Sequence, residues 1–162
     1  MISNDQKNLN SGFGAKSEPS EILDGINLSG KTAIVTGGYS GIGIETTRAL
    51  SEAGASVIIP ARRPEEAILA LDGIISKDHV FEMDLSDLES IKRFTNLVKN
   101  NLSLNILINN AGVSMRALVQ DVDFDTIRRV MDINFWGTVY CTKFALDHIV
   151  KNKGTIVGVS SI

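Results

Sequence analysis

The sequence holds a single cysteine, Cys141, so it can form no internal disulfide, and no group of Cys and His has the spacing of a metal site. A reducing, cytoplasmic setting without structural metal is the expectation, with Cys141 read as a small buried helix residue. Charge of one sign is not in excess either, the formal net charge being −3. Nothing therefore advertises a surface for nucleic acid or for an anionic membrane. The first residues, Met1-Ile2-Ser3-Asn4-Asp5-Gln6, lack a basic region followed by an apolar core, and read as neither signal peptide nor membrane anchor. Internal repeats and low-complexity runs are absent. What is there is a chain of 162 residues, 43% hydrophobic, with mean hydropathy +0.09, long enough for one globular domain with a buried core.

Residues 1–16 are rich in Asn, Ser and Gly, and ordering them would return little burial, so they read as a flexible arm. Ser17, Pro19 and Glu21 predict a short helix, capped by Ser17 and ending before Gly25, that packs beside the first strand; residues 17–29 are thus a leader helix and linker. From residue 30 onward short apolar runs alternate with helical patterns, the mark of strand–helix units. Strands are predicted at about 31–35, 56–59, 79–83, 104–108 and 155–159. Helices are predicted at about 42–53, from Pro64 to about 72, from a Ser86–Glu89 capping box to about 100, and from about 123 to 150. In the third of these, Leu88, Ile91, Phe94, Leu97 and Val98 recur on one face. Right-handed crossovers wind five such units most simply into an α/β, doubly wound parallel sheet of Rossmann type, in the order 3-2-1-4-5. Strands one and four then lie side by side, and the chain leaves them in opposite directions. A crevice must open at their carboxyl ends.

The first strand runs into Thr36-Gly37-Gly38-Tyr39-Ser40-Gly41-Ile42-Gly43 and then into the helix-like Ile44–Leu50. Residues without a side chain let the backbone approach a phosphate, and the first N–H groups of a helix point at it. A dinucleotide pyrophosphate is the ligand this turn suggests, with an ordinary glycine-rich loop as the plainer alternative. About twenty residues further on, an NAD site would place an acid for the ribose 2′-hydroxyl. Here the chain reads Pro60-Ala61-Arg62-Arg63. Arginine pairs with a 2′-phosphate, which makes NADP(H) the preferred cofactor and NAD(H) the alternative. A solvated pair of surface arginines is the bland reading.

Thr36-Gly37 followed by Gly41-Ile42-Gly43 resembles the cofactor loop of the short-chain dehydrogenase/reductase family, and the resemblance runs from about Gly30 to Ile162. It implies an NAD(P)-binding Rossmann-type domain over 30–162. Cofactor contacts would fall at Gly37, Tyr39, Ser40, Gly41, Ile42, Gly43, Arg62 and Arg63. Asp84-Leu85 stands where the family hydrogen-bonds the adenine amino group. Asn109-Asn110-Ala111-Gly112 matches the family's Asn-Asn-Ala-Gly motif, which sets Asn110, Ala111 and Gly112 beside the cofactor ribose. Asn134 matches the helix Asn of the catalytic tetrad, whose backbone holds a water of a proton relay. Ser161 matches the catalytic Ser that hydrogen-bonds the substrate oxygen. Plainer roles stand beside these: a loop Asp before a helix cap, a buried helical Asn, a Ser at a strand end.

The family also places a Tyr and a Lys, with three residues between them, shortly after that Ser. Tyr140 and Lys143 have only two residues between them and read as a helix surface pair, and the sequence stops at Ile162. The expectation is an NADP(H)-dependent oxidoreductase moving hydride between nicotinamide and a carbonyl or alcohol. It would be present as a fragment truncated after strand five, lacking the catalytic Tyr and Lys and inactive alone. A non-catalytic dinucleotide-binding module and an inactive truncated product are the rival readings. The implied partner is a small carbonyl or alcohol, with no nucleic acid and no membrane, and a homo-oligomer stays open for the complete protein.

Overall fold

The computed structural model describes residues 11–14, 16–99 and 103–160; most of the expected arm at 1–16 lies outside them. Its centre is a parallel sheet in the order β3-β2-β1-β4-β5, as the alternation of patterns predicts. The strands are β1 Thr32–Thr36, β2 Ser56–Ala61, β3 Val80–Glu82, β4 Leu104–Asn109 and β5 Thr155–Gly158. The helices are α1 Pro19–Ile22, α2 Gly41–Glu52, α3 Pro64–Ala70, α4 Leu88–Lys99, α5 Phe124–Met131 and α6 Gly137–Lys151. Among the described residues no helix is long and apolar enough to cross a membrane.

Successive residues of a strand face opposite sides of the sheet, and the core divides accordingly. Ile34, Ile58 and Leu107 pack with Ile91, Phe94 and Val98 of α4 and with Ala145 and Ile149 of α6. Their chain neighbours Val35, Val57, Ile59 and Ile108 pack on the other side with Leu71 and with the half-buried Ile44 and Leu50 of α2. β1 is buried at every residue, which a strand covered on both faces demands. On α4 the buried stripe is Ile91, Phe94 and Val98, while Leu97 is 60% exposed instead of joining it.

Several boundaries differ from expectation for identifiable reasons. β2 continues through Pro60, which carries no N–H, because its pairs with β1 end at Ile58 and from Ile59 onward it pairs with β3. His79 belongs to a 3₁₀ turn, Lys77–His79, and not to β3. Ser86 does not cap α4: its N–H and hydroxyl both bind Asp84 Oδ1, at 2.8 and 2.7 Å, and Asp87 Oδ1 accepts the Glu89 N–H at 2.9 Å. At α1 the cap is Glu18, whose N–H reaches Glu21 Oε2 at 3.2 Å, and the helix sits against α2. The long helix expected over 123–150 is two α-helices joined by a π turn, Asp132–Trp136. Asp123 starts it by accepting the Thr126 N–H at 2.7 Å, and the two Thr126 hydrogen bonds hold its carboxyl below the ordinary range.

Cys141, on α6, is half-buried and not fully buried as expected; it packs against the α4 side of the core and lines a small cavity of about 40 Å³ with Phe94, Phe144 and His148. Burial pushes its thiol up to about 12. The reactive thiolate is thereby disfavoured. Ellman's reagent is therefore expected to leave the native thiol untouched over the time in which the denatured chain reacts fully. Stoichiometric reaction of native protein would show that the α4–α6 layer is open.

Candidate functional site

β1 and β4 end level with each other, Thr36 beside Asn109. The chain then departs to opposite faces, into α2 on one and towards α5 and α6 on the other. Between the departing segments a crevice of about 1110 Å³ opens at the carboxyl ends of the strands. Thr36 ties its floor together. Its Oγ1 accepts the N–H groups of Asn110 and Ala111 at 3.0 and 3.1 Å, and its hydroxyl lies 3.4 Å from the Ile108 carbonyl. The Asn110 amide returns the link, donating to the carbonyls of Thr36 and Gly37 at 3.1 and 3.3 Å. Asn109 instead donates to Thr142 Oγ1 at 3.0 Å, and its Oδ1 is buried without a partner among the described residues.

Above this floor lies the glycine loop. Gly37 and Gly41 have φ of +63° and +53°, the left-handed region that side chains disfavour. The Gly43 N–H closes the turn onto the Ser40 carbonyl at 3.1 Å. Ser40 is the N-cap of α2, yet its hydroxyl makes no capping bond. The Gly41 and Ile42 N–H groups at the start of the helix meet no acceptor among the described residues and are left for an external one, at the place where Ser40, Gly41 and Ile42 line the crevice. That arrangement fits a phosphate.

Of the residues singled out from the sequence, Gly37, Tyr39, Ser40, Gly41, Ile42, Arg62, Asp84, Leu85, Asn110, Ala111, Gly112 and Asn134 line this one crevice. Gly43 and Arg63 do not. Gly43 lies behind the loop, buried against Gly37 and Asn110, and Arg63 is drawn to Glu66 on α3 at 2.7 Å. Arg62, by contrast, has no ion-pair partner among the described residues. Asp84 is half-buried, with Oδ1 held by Ser86. Asn134 sits in the π turn and clasps the backbone of Val113, Oδ1 accepting its N–H and Nδ2 donating to its carbonyl, both at 2.9 Å. Its own carbonyl accepts the Thr138 hydroxyl at 3.1 Å. Ser161 lies outside the described residues, while its neighbour Ser160 lines the crevice. Tyr140 stacks on Trp136, ring centroids 5.6 Å apart, and packs against the core.

Sequence reasoning missed an apolar wall formed by Met83, Val113, Met115, Val130, Ile133 and Val159, together with Thr138. Thr138 carried a signal, being one helical turn after Asn134. Val113 and Met115 had none beyond following Gly112, since a loop has no period to read. Among the described lining residues the ionisable side chains are Tyr39, Arg62 and Asp84.

Sheet order, glycine turn and crevice together define the class: an open, doubly wound α/β protein whose ligand site lies at the topological switch point. The short chain dehydrogenase family model matches residues 31–162, and the chain belongs to that family of NAD(P)-binding oxidoreductases. It is 35% identical over 141 residues to the 11-beta-hydroxysteroid dehydrogenase-like 2 of Arabidopsis thaliana, covering 83% of this chain and 46% of that protein. With the meso-2,3-butanediol dehydrogenase of Serratia marcescens it shares 31% identity over 140 residues, 85% of this chain and 55% of the other. Among solved structures, a short chain dehydrogenase/reductase family protein superposes with a TM-score of 0.74 at 33% identity, over 83% of this chain and 57% of that one. A Beutenbergia cavernae protein assigned as an NAD(P)-dependent gluconate 5-dehydrogenase, with bound NADP at low occupancy, gives 0.73 at 28% identity, over 84% and 56%. The chain spans about half the length of the relatives it matches.

Proposed function

We propose that the chain is the cofactor-binding part of an NADP(H)-dependent short-chain oxidoreductase acting on a carbonyl/alcohol pair. The observation that carries the cofactor choice is Arg62, a cation at the end of β2 that lines the crevice and has no ion-pair partner among the described residues. In this reading the N–H groups at the start of α2 hold the pyrophosphate and Arg62 meets the 2′-phosphate with its planar donors. Asp84 and Leu85 receive the adenine, and Asn110, Ala111 and Gly112 border the ribose. When bound, the nicotinamide supplies or accepts hydride. Asn134 keeps the Val113 wall in place, and Ser161 would hold the substrate oxygen. A second reading, a dinucleotide-binding module without catalysis, is favoured by the lack of Lys or His among the described lining residues.

Calorimetric titration tests the cofactor choice. NADPH is expected to bind more tightly than NADH. Hydrogen bonds to charged groups contribute about 1.5–3 kcal/mol, and solvent screening of an exposed arginine argues for the low end. Arg62→Ala should therefore weaken NADPH roughly tenfold and leave NADH unchanged. Arg63→Ala, which removes only the Glu66 partner, should change neither. Equal affinities, or an Arg62→Ala protein with wild-type preference, would overturn the assignment.

A further inference from the structure

We propose that Thr47, which does not line the crevice, is the residue that positions the glycine loop for the nucleotide; the inference rests on the crevice being a nucleotide site. Thr47 lies well inside α2 and is fully buried. Its hydroxyl donates to the Gly38 carbonyl at 2.6 Å, with the Gly43 carbonyl, one helical turn back, at 3.0 Å. The second contact is the ordinary local bond of a helical threonine, but the first crosses from the helix to the loop. The loop and the hydroxyl are matched in shape. A Cβ on Gly38 would come within 2.7 Å of Thr47 Oγ1 and 2.6 Å of Ile59 Cδ1.

The consequence follows from the planarity of one peptide group. The peptide between Gly38 and Tyr39 is trans, so the C=O of Gly38 and the N–H of Tyr39 point in opposite directions. Holding the carbonyl inward on Thr47 turns the Tyr39 N–H outward, on a loop whose next residues line the crevice, and no protein acceptor meets it among the described residues. Without the hydroxyl, the buried Gly38 carbonyl has no donor among the described residues and regains one by rotating the peptide towards water. That rotation withdraws the Tyr39 N–H. Helix propensity argues the other way at this position, since alanine is the better helix former, so a purely structural role in α2 and a role in the loop predict different results.

The experiment compares Thr47→Val, which keeps the shape, Thr47→Ala and Thr47→Ser in the protein. It reads the dissociation constant for NADPH, the melting temperature, and hydrogen exchange of residues 37–41 against that of β1 and β4. Leaving a buried carbonyl unpaired shifts the loop population, and affinity falls by the same factor, roughly five- to a hundredfold. Valine and alanine should show that loss with faster exchange confined to 37–41, and serine should restore affinity to within about threefold. Near-wild-type affinity in both valine and alanine proteins would overturn the inference. So would unfolding of both with serine folded, because the hydroxyl would then hold the domain and not the loop. If the wild-type protein binds no NADPH, it is the nucleotide reading that fails, and loop exchange in the variants still reports on the role of Thr47.

Discussion

Gly43→Ala is expected to abolish NADPH binding, with a loss of at least a hundredfold, while Gly41→Ala in the same loop retains measurable affinity. The sequence treats these two glycines alike. The structure separates them. A Cβ at Gly43 would overlap the Gly37 carbonyl oxygen and lie 2.6 Å from Asn110 Nδ2. Neither neighbour can give way freely, because Gly37 is held in the left-handed region and the Asn110 amide is bonded to the carbonyls of Thr36 and Gly37. One methyl group would therefore push the loop off the floor that joins β1 to β4. Overpacking of this kind costs about 1–3 kcal/mol, a fall in melting temperature of roughly 2–10 °C for a chain of this size. At Gly41 a Cβ meets nothing within 4 Å, and the cost is that of φ +53°, about 1–2 kcal/mol. A larger side chain there, as in Gly41→Val, stands at the rim of the crevice that Gly41 lines and should weaken the nucleotide further, with an added cost in stability because a β-branched residue tolerates positive φ less well than alanine. Fluorescence titration and thermal melts on the three variants decide the matter. A Gly43→Ala protein that binds NADPH as the wild type does would remove the loop from the site.

The second large effect concerns turnover. The polypeptide of 162 residues, tested as such, is expected to show no NADPH oxidation above background with quinones, ketones or aldehydes. Protonating a developing alkoxide near neutral pH needs an acid whose pKa has been brought towards 7. A free phenol titrates near 10 and requires a neighbouring cation. Neither tyrosine of the chain stands where the carbonyl would sit. Tyr140 is stacked on Trp136 and packed against the core, and Tyr39 belongs to the glycine loop, at the phosphate end. Asn134 is occupied with the Val113 backbone and is no acid. General acid–base catalysis contributes typically about a hundred- to ten-thousand-fold, so its absence alone brings turnover close to background. The comparison is a longer polypeptide in which a Tyr and a Lys, with three residues between them, follow β5. Activity confined to that form supports the argument, whereas robust turnover by the 162-residue chain refutes it.

What the sequence by itself determined is whatever has a short period or a local chemical cause. Alternating strand and helix patterns specify five strand–helix units, and right-handed crossovers leave 3-2-1-4-5 as their simplest order. The same order puts the glycine turn and Asn110-Ala111-Gly112 on one crevice, so eleven of the thirteen predicted cofactor contacts line it. Tertiary structure alone decided the rest, because each remaining feature joins residues distant in sequence or depends on competition for one partner. Arg62 and Arg63 are equal as letters, and only the start of α3 brings Glu66 to one and leaves the other without an ion-pair partner among the described residues. Gly43 and Gly41 differ because Asn110, at the end of another strand, packs behind one of them. The Ser86 box fails because Asp84 captures its hydroxyl, and the π turn escapes detection because one widened turn shifts the apolar stripe by a single residue, too little to interrupt a helical pattern. The Thr47 hydroxyl has the same origin: in sequence it is one polar residue in a helix, and only folding the loop back over the helix brings the Gly38 carbonyl to it.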